Sequence, residues 1–298
     1  MRNSEERYIS LLTDFGFKRV FGTVLNKDLL IDFLNSLFDG EQVVKDVTFL
    51  NSEHVGDVRS ERKAIFDVYC ENEQGEKFIV EMQNAYQTFF KDRSLYYATF
   101  PIREQAEKGD VWNYQLKHVY VVALLNYEMS DPAFSTESIN HDIGLLDKQT
   151  HRVFNDKLTF KYVEISKFNK SLEELETNYD KWLYVLRNLS RLDSQPDYLR
   201  NEIFNRLFCE AEIAQFSKVE LREYEDSLKA YRDIKNSLDT AKAEGRAEGL
   251  VEGRAEGRAE GRSETLVEVA KNLLSIGTPI DSIMKATGMT EEEIKCLM

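Results

Sequence analysis

The stretch of sequence that decides the fold is residues 63–83, KAIFDVYCENEQGEKFIVEMQ. Two runs rich in Val, Ile, Phe and Tyr flank a short polar segment, which predicts a β-hairpin. A three-residue loop at residues 73–75 suits the turn, because Gly75 can adopt the left-handed conformation that such loops favour. Counting outward from this loop pairs Asp67 with Glu81 across the two strands.

Period-two alternation along the strands defines one face of the hairpin. This face is predicted to carry Ile65, Asp67, Tyr69, Ile79, Glu81 and Gln83. Two opposed carboxylates about 5 Å apart among apolar neighbours repel each other and are poorly solvated. A divalent cation relieves both problems, and Mg²⁺ takes most of its ligands from water and phosphate. The pattern favours phosphodiester chemistry, and the alternative is an ordinary acidic pair on an exposed face.

Hydrophobic periodicity predicts the remaining elements of the first half of the chain. Two short helices are expected within residues 11–38, and a third over residues 89–108 that Gly109 ends. The apolar stripe of this third helix is predicted to be Leu95, Thr99, Ile102 and Ala106. Short apolar runs predict strands at 43–50, 63–71, 77–83 and 117–125.

The second half of the chain has mainly helical patterns. One or two strands are expected around residues 156–165, followed by helices at about 171–192, 197–213 and 217–242. Residues 244–262 repeat Glu-Gly every four residues, which predicts a linker helix or a self-association segment. Each of the five glycines weakens an isolated helix by roughly 1 kcal/mol relative to Ala, although small residues permit close packing against a partner.

The last residues predict a three-helix tail from about residue 265. Thr278 and Pro279 are expected as an N-cap and first helical residue, and Gly288 is expected to end that helix. Thr290 and Glu293 form a capping box for the final helix. This helix begins with three acidic residues, which repel phosphate, so partner binding is favoured over DNA recognition for the tail.

Composition restricts the function further. The net charge of −14 excludes a protein that coats nucleic acid through its overall field, so any DNA contact must be local. No run of about 18 apolar residues and no signal-peptide core is present, which predicts a cytoplasmic protein without membrane contact. The three cysteines are far apart and lack zinc-ligand spacing, so reduced thiols are expected.

Several motifs together resemble a known family. The hairpin resembles the D…(D/E)-x-K signature of PD-(D/E)XK nucleases, because Asp67 is followed by a turn and then by Glu81-Met82-Gln83 at the end of an apolar strand. More closely, the chain resembles the Rpn family of recombination-promoting nucleases and putative transposases, in which glutamine replaces the signature lysine. Further matching features are TDFGFKRVFG at 13–22, Arg93 followed by Tyr96 and Tyr97, HVYVVALL at 118–125 and the Glu-Gly-Arg repeat.

The resemblance implies an α/β fold with a restriction-endonuclease-like core, in which helices flank a mixed central sheet, followed by an all-helical C-terminal extension. It also implies an Mg²⁺-dependent DNA endonuclease that leaves 5′-phosphate products. Asp67 and Glu81 would hold the metal, with the backbone carbonyl of Met82 as a third ligand. Gln83 would orient the attacking water, but a neutral amide can only hydrogen-bond, so turnover is expected to be slow or lost.

Three further residues are candidates for the site. Asp14 either supplies an additional catalytic acid or caps the helix that follows it. Arg93 and Tyr97 lie four residues apart on one helix face. They either approach the DNA as substrate-binding residues or form a buried structural pair.

Four parts are predicted along the chain: a nuclease core at 1–126, a strand-helix extension packing on the core at 127–243, the Glu-Gly-Arg repeat as a linker helix at 244–262, and a small helical tail at 263–298. A homo-oligomer through the C-terminal helical region is expected. Two alternative functions remain open. The same metal site can act on RNA or a recombination intermediate, or the chain is a catalytically weak or inactive interaction module with a nuclease fold.

Overall fold

The computed structural model describes residues 6–54, 64–106 and 113–298. It divides into two compact units, Met1–Lys235 and Asn236–Met298. The helices are α1 (Asp14–Phe21), α2 (Lys27–Phe38), α3 (Phe90–Glu104), α4 (Asn178–Asn188), α5 (Glu202–Glu210), α6 (Lys218–Ser275), α7 (Ile280–Thr287) and α8 (Glu291–Lys295). The strands are β1 (Val47–Phe49), β2 (Glu53–His54), β3 (Ala64–Ile65), β4 (Val68–Asn72), β5 (Lys77–Gln83), β6 (Val119–Leu125), β7 (Asn140–Leu146) and β8 (Val153–Glu164).

A six-stranded mixed sheet forms the centre of the first unit, in the order β1-β4-β5-β6-β8-β7. The β5–β6 and β6–β8 pairs are parallel, and the other pairs are antiparallel. Side chains of β5 alternate between two apolar clusters. Phe78 and Val80 pack with α1, α2, α4 and α5, whereas Ile79 packs with Phe90 and Ala98 of α3. The predicted α/β architecture of a mixed sheet flanked by helices, with a helical extension, is confirmed.

The hairpin has the predicted register. Val68 pairs with Val80, and Tyr69 pairs with Ile79. The turn is closed by the Asn72 N–H donating to the Glu76 carbonyl at 3.0 Å, and Gly75 has the expected left-handed φ of +77°. The loop therefore sets which side chains meet at the open end of the hairpin.

One detail of the hairpin face was wrong. Ile65 is 52% exposed, and the neighbouring Phe66 is buried with Tyr69 and Ile79 instead. Residues 66 and 67 lie between β3 and β4, outside both strands. Strict alternation therefore does not extend across them.

The predicted apolar stripe of α3 was wrong except for Ile102, which packs against the cluster of Ile79 and Phe90. Leu95 is 51% exposed, and the buried residues of the helix are Phe90, Ser94, Ala98 and Pro101. Small residues at 94 and 98 let the helix backbone approach the sheet closely, and this turns Leu95 outward. The predicted helix end at Gly109 lies outside the described residues.

Strand β7 was not expected, because its sequence NHDIGLL lacks a regular alternation of apolar residues. In the structure this strand is mostly exposed. Together with β8 it joins the same sheet as the hairpin. The boundary predicted at residue 126 thus falls between strands of one sheet, and the four-part division stays a prediction.

The second unit has a small core of its own, centred on Ala270, Ile283 and Ile294. Gly288 ends α7 with a φ of +74°, and Thr290 and Glu293 form the predicted capping box of α8. The N-cap of α7 is Pro279 rather than Thr278, because Pro279 has an extended ψ of 140° and helical geometry starts one residue later. No helix among the described residues is long and apolar enough to cross a membrane.

Candidate active site

The site lies at the open end of the hairpin, where β4 begins at Val68 and β5 ends at Gln83. The backbone N–H of Asp67 donates to Glu81 Oε1 at 3.3 Å, and the backbone N–H of Met82 donates to Asp67 Oδ2 at 2.8 Å. These bonds continue the hairpin register by one step beyond the Val68–Val80 pair. Each carboxylate is therefore oriented by the backbone of the opposite strand.

Both carboxyl groups lie in a poorly solvated place. Glu81 is only 6% exposed. Burial, and then the negative charge of Asp67, raise the pKa of Glu81 to about 8. Burial likewise raises the pKa of Asp67, although the Met82 N–H bond and the positive charges of Lys18 and Arg93 oppose this. Both shifts mean that negative charge is disfavoured at this place, so the site favours a cation.

Gln83 connects the acidic pair to a permanent cation. Its Nε2 donates to Glu81 Oε2 at 3.1 Å, and its Oε1 accepts a hydrogen bond from the Arg93 guanidinium. Arg93 also donates from Nη1 to Gln87 Oε1 at 2.6 Å. The positive charge that a lysine would place at position 83 thus lies one hydrogen bond further away, on α3.

Arg93 and Tyr97 lie together on the face of α3 that meets the acidic pair. The guanidinium carbon is 5.7 Å from the Tyr97 ring centroid and 5.3 Å from that of Phe90. Burial, and then the charge of Glu81, raise the pKa of Tyr97. The pair is half-buried and packed, yet it borders the carboxylates, so the structure brings together the residues expected to bind substrate.

Comparison with protein families identifies the family of the chain. A sequence model described as PD-(D/E)XK nuclease family transposase matches residues 11–241. The chain belongs to this family. No curated protein and no solved structure matches the chain. The family match covers α1, the whole central sheet and the acidic pair, and it confirms the resemblance stated from the motifs.

In this PD-(D/E)XK chain, Asp14 is the first residue of α1, and the predicted capping role was wrong. Thr13 is the N-cap, and its hydroxyl accepts from the Gly16 N–H at 3.1 Å. Asp14 instead forms an ion pair with Lys18 at 2.7 Å, and its side chain is 64% exposed. Its charge contributes to the raised pKa of Asp67, so it lies near the pair. Its catalytic role stays a prediction.

Lys18 was not singled out from the sequence, although it carries one of the positive charges that act on both carboxylates. Burial lowers its pKa, but the hydrogen bond to Asp14 and the charges of Asp14, Asp67 and Glu81 outweigh this and raise it. The available signal was the Asp14–Lys18 spacing of four residues, which places both on one helix face. Gln87, the second partner of Arg93, had no sequence signal.

PD-(D/E)XK nucleases typically use divalent metals, and the donor set of this chain fits one. Among residues 6–54, 64–106 and 113–298, no group of three or more His, Cys, Asp or Glu side chains is arranged to hold a metal. Two carboxylates suit Mg²⁺, which often uses only one or two of them. Oδ2 of Asp67 is occupied by the Met82 N–H. The carbonyl of Met82 as a third ligand stays a prediction.

Proposed function

We propose that this chain is an Mg²⁺-dependent DNA endonuclease with a recombination-promoting or transposase-like role. The observation that carries the proposal is the pairing of buried Glu81 with partly buried Asp67. The pKa values of both carboxyl groups are raised, which indicates that their negative charge is disfavoured unless a cation is added. Membership of the PD-(D/E)XK nuclease family transposases supports a nuclease-like or transposase-like function for the chain. Mg²⁺, when bound, would neutralise the pair, activate a water and stabilise the negative charge that develops on the phosphate.

The chain's own residues would hold the metal and orient its ligands. Asp67 and Glu81 would be the carboxylate ligands, with the Met82 carbonyl as a third. The backbone hydrogen bonds from Met82 to Asp67 and from Asp67 to Glu81 restrict the carboxylate orientations. Such preorganisation matters because a misplaced ligand costs catalysis even when it is present.

Gln83 and Arg93 would act together in place of the signature lysine. Arginine remains charged at all working pH values and can donate to phosphate oxygens. Through its bond to Gln83, the guanidinium is held beside Glu81. A cation at this position stabilises the charge developing on the scissile phosphate. With Gln83 orienting the water, Arg93 and Tyr97 would contact the DNA.

The test is metal-dependent cleavage of plasmid DNA by the purified full chain. Asp67→Ala and Glu81→Ala are each expected to reduce cleavage to background while circular dichroism stays unchanged, because each removes a ligand. Glu71→Ala is the matched control, since Glu71 lies on the same hairpin and pairs with Lys77. Undiminished cleavage by either site variant would discard the assignment.

A second candidate is an inactive or slow nuclease fold that acts through protein or nucleic-acid interactions. The observation in its favour is Gln83, a neutral residue with hydrogen bonds to both Glu81 and Arg93. Cleavage of matched DNA and RNA substrates, measured beside molecular mass, separates the possibilities. Metal-dependent cleavage of RNA but not DNA would identify RNA as the substrate. Absence of cleavage together with stable self-association would favour the interaction module.

Self-association through the C-terminal helical region and a cytoplasmic location are also part of the proposal. The long α6 helix supports the first, because it extends well beyond the residues that pack on the first unit's core. The second rests on the sequence composition.

A further inference from the structure

The Glu-Gly-Arg repeat lies wholly inside α6. Because residues four apart lie on neighbouring turns of a helix, a four-residue repeat produces four continuous ridges. The acidic ridge contains Glu244, Glu248, Glu252, Glu256, Glu260 and Glu264; the glycine ridge contains Gly245, Gly249, Gly253, Gly257 and Gly261. The basic ridge contains Lys242, Arg246, Arg254, Arg258 and Arg262, and the alanine ridge contains Ala243, Ala247, Ala255 and Ala259.

The repeat does not stabilise its own helix. Favourable ion pairs on a helix join residues three or four apart. Here each Glu has Glu four residues away, and each Arg of 254–262 has Arg there, so neighbours of like charge repel. The glycines weaken the helix further. In the described part of the chain, nothing except the adjoining residues and backbone of α6 itself lies within 4 Å of a Cβ built on any of the five glycines.

The order of the ridges around the helix is acidic, glycine, basic, alanine. Neighbouring ridges are about 90° apart, and each winds around the axis by about 40° per repeat. The glycine ridge is therefore bordered by Glu on one side and by Arg or Lys on the other. Leu250 interrupts the basic ridge and is 55% exposed, which adds an apolar side chain beside Gly249. Nothing in this exposed segment requires glycine for the chain's own packing, whereas a closely approaching second helix would.

We propose that two copies of this chain pack their α6 helices in parallel, in register, through the glycine ridges. In a parallel two-fold pair, each partner is turned by 180° about the helix direction. The acidic ridge of one copy then meets the basic ridge of the other on both sides of the contact. Glycine lets the backbones approach closely, and four-residue ridges that interdigitate cross at about −50°. The two helices therefore touch over the few turns around the crossing point.

An antiparallel pair through the same ridge gives the opposite electrostatic result. A two-fold axis perpendicular to the helices keeps each acidic ridge on the same side, so Glu faces Glu and the basic residues face each other. Like charges in direct opposition disfavour association. The charge order around the helix thus selects one orientation, and the occupant of this face is a second copy with the complementary ridge.

This inference rests on the proposed self-association but not on nuclease activity, because the experiment measures mass. Sedimentation equilibrium of the full chain is expected to give a dimer. Raising the salt from about 0.05 M to about 0.5 M is expected to increase the dimer Kd by about tenfold, because screening removes attraction between opposite charges. A dimer Kd that falls as the salt rises would overturn the parallel arrangement. A parent chain that stays monomeric would overturn self-association itself.

Paired substitutions test which ridge faces the partner. Gly253→Leu with Gly257→Leu is expected to raise the dimer Kd by at least about tenfold, because two bulky side chains keep the backbones apart. Leucine also has a higher helix propensity than glycine, so circular dichroism should show no loss of helix. The matched control is Ala255→Leu with Ala259→Leu on the opposite ridge, which should leave the Kd unchanged. Equal effects of both pairs, or an effect of the alanine pair alone, would overturn the glycine contact.

Discussion

Replacing Glu81 by Gln should make the metal-free protein more stable at alkaline pH. Burial, followed by the charge of Asp67, raises the pKa of Glu81 from 4.5 to about 8. The folded state therefore binds this proton more tightly than the unfolded state does. The contribution of Glu81 to the stability of the parent is therefore largest below about pH 4.5. This contribution falls as the pH rises from about 4.5 through about 8.

The size of the effect follows from linkage. The difference between the two pKa values corresponds to roughly 5 kcal/mol at about 1.4 kcal/mol per pKa unit. Relaxation of the ionised pair and entry of water reduce the penalty, so we expect about 2 to 4 kcal/mol. The substituted amide keeps the shape of the side chain and an oxygen for the Asp67 N–H, which in the parent donates to Glu81 Oε1 at 3.3 Å. Besides the charge, the variant loses the Oε2 acceptor of the Gln83 Nε2–H bond. That loss is the same at every pH, so the pH dependence reports the charge.

Urea unfolding without metal, at several pH values between about 5 and about 9, measures this difference, because ionisable groups away from the pair affect both proteins equally. Asp67, Lys18 and Tyr97 interact with the charge of Glu81, so their response is part of the measured difference. The Glu81→Gln advantage should be small near pH 5 and reach the full value near pH 9. Glu71→Gln is the control, since Glu71 lies on the same hairpin and pairs with Lys77. Loss of this pair should cost about 1 kcal/mol or less.

Added Mg²⁺ should reverse the order of the two proteins. A ligand at 100 times its Kd stabilises the folded state by about 2.7 kcal/mol, and the parent has both carboxylates for it whereas the variant has one. Parallel stability curves for parent and variant across the pH range would refute the reasoning, because they would place Glu81 in solvent or away from Asp67.

Three further outcomes are expected. Gln83→Lys should retain or increase cleavage at saturating Mg²⁺, because Lys can stabilise negative charge on the phosphate. It should also require more Mg²⁺, because Lys can pair with the metal ligands. If Gln83→Lys and Gln83→Leu both behave as the parent does, Gln83 points away from the chemistry. Arg93→Gln should reduce cleavage by about 100-fold or more, with Lys91→Gln on the same helix as control, and equal rates would remove Arg93 from the site. Truncation after Thr240 should lower the number of chains per particle, measured by light scattering, and should spare cleavage. An unchanged number of chains per particle would contradict the role of the repeat.

Local interactions explain what the sequence alone determined. A glycine at the third position of the hairpin loop and the alternation of β5 were enough to place Asp67 beside Glu81, because turn type sets register over a few residues. The same holds for the capping box of Thr290 and Glu293 and for the end of α7 at Gly288. The motif order around Asp67 and Glu81 also led to the family that covers residues 11–241.

Tertiary packing decided the rest. α3 buries Ser94 and Ala98 instead of Leu95 because the backbone must approach the sheet, and β7 pairs with β8 although its sequence has weak strand character. The bond between Gln83 and Arg93 joins β5 to α3, and Lys18 acts on the pair from α1, which is distant along the chain. The raised pKa of Glu81 follows from burial on a sheet covered by helices. Neither burial nor contact between distant segments is written in local periodicity, because both depend on which faces the whole chain covers.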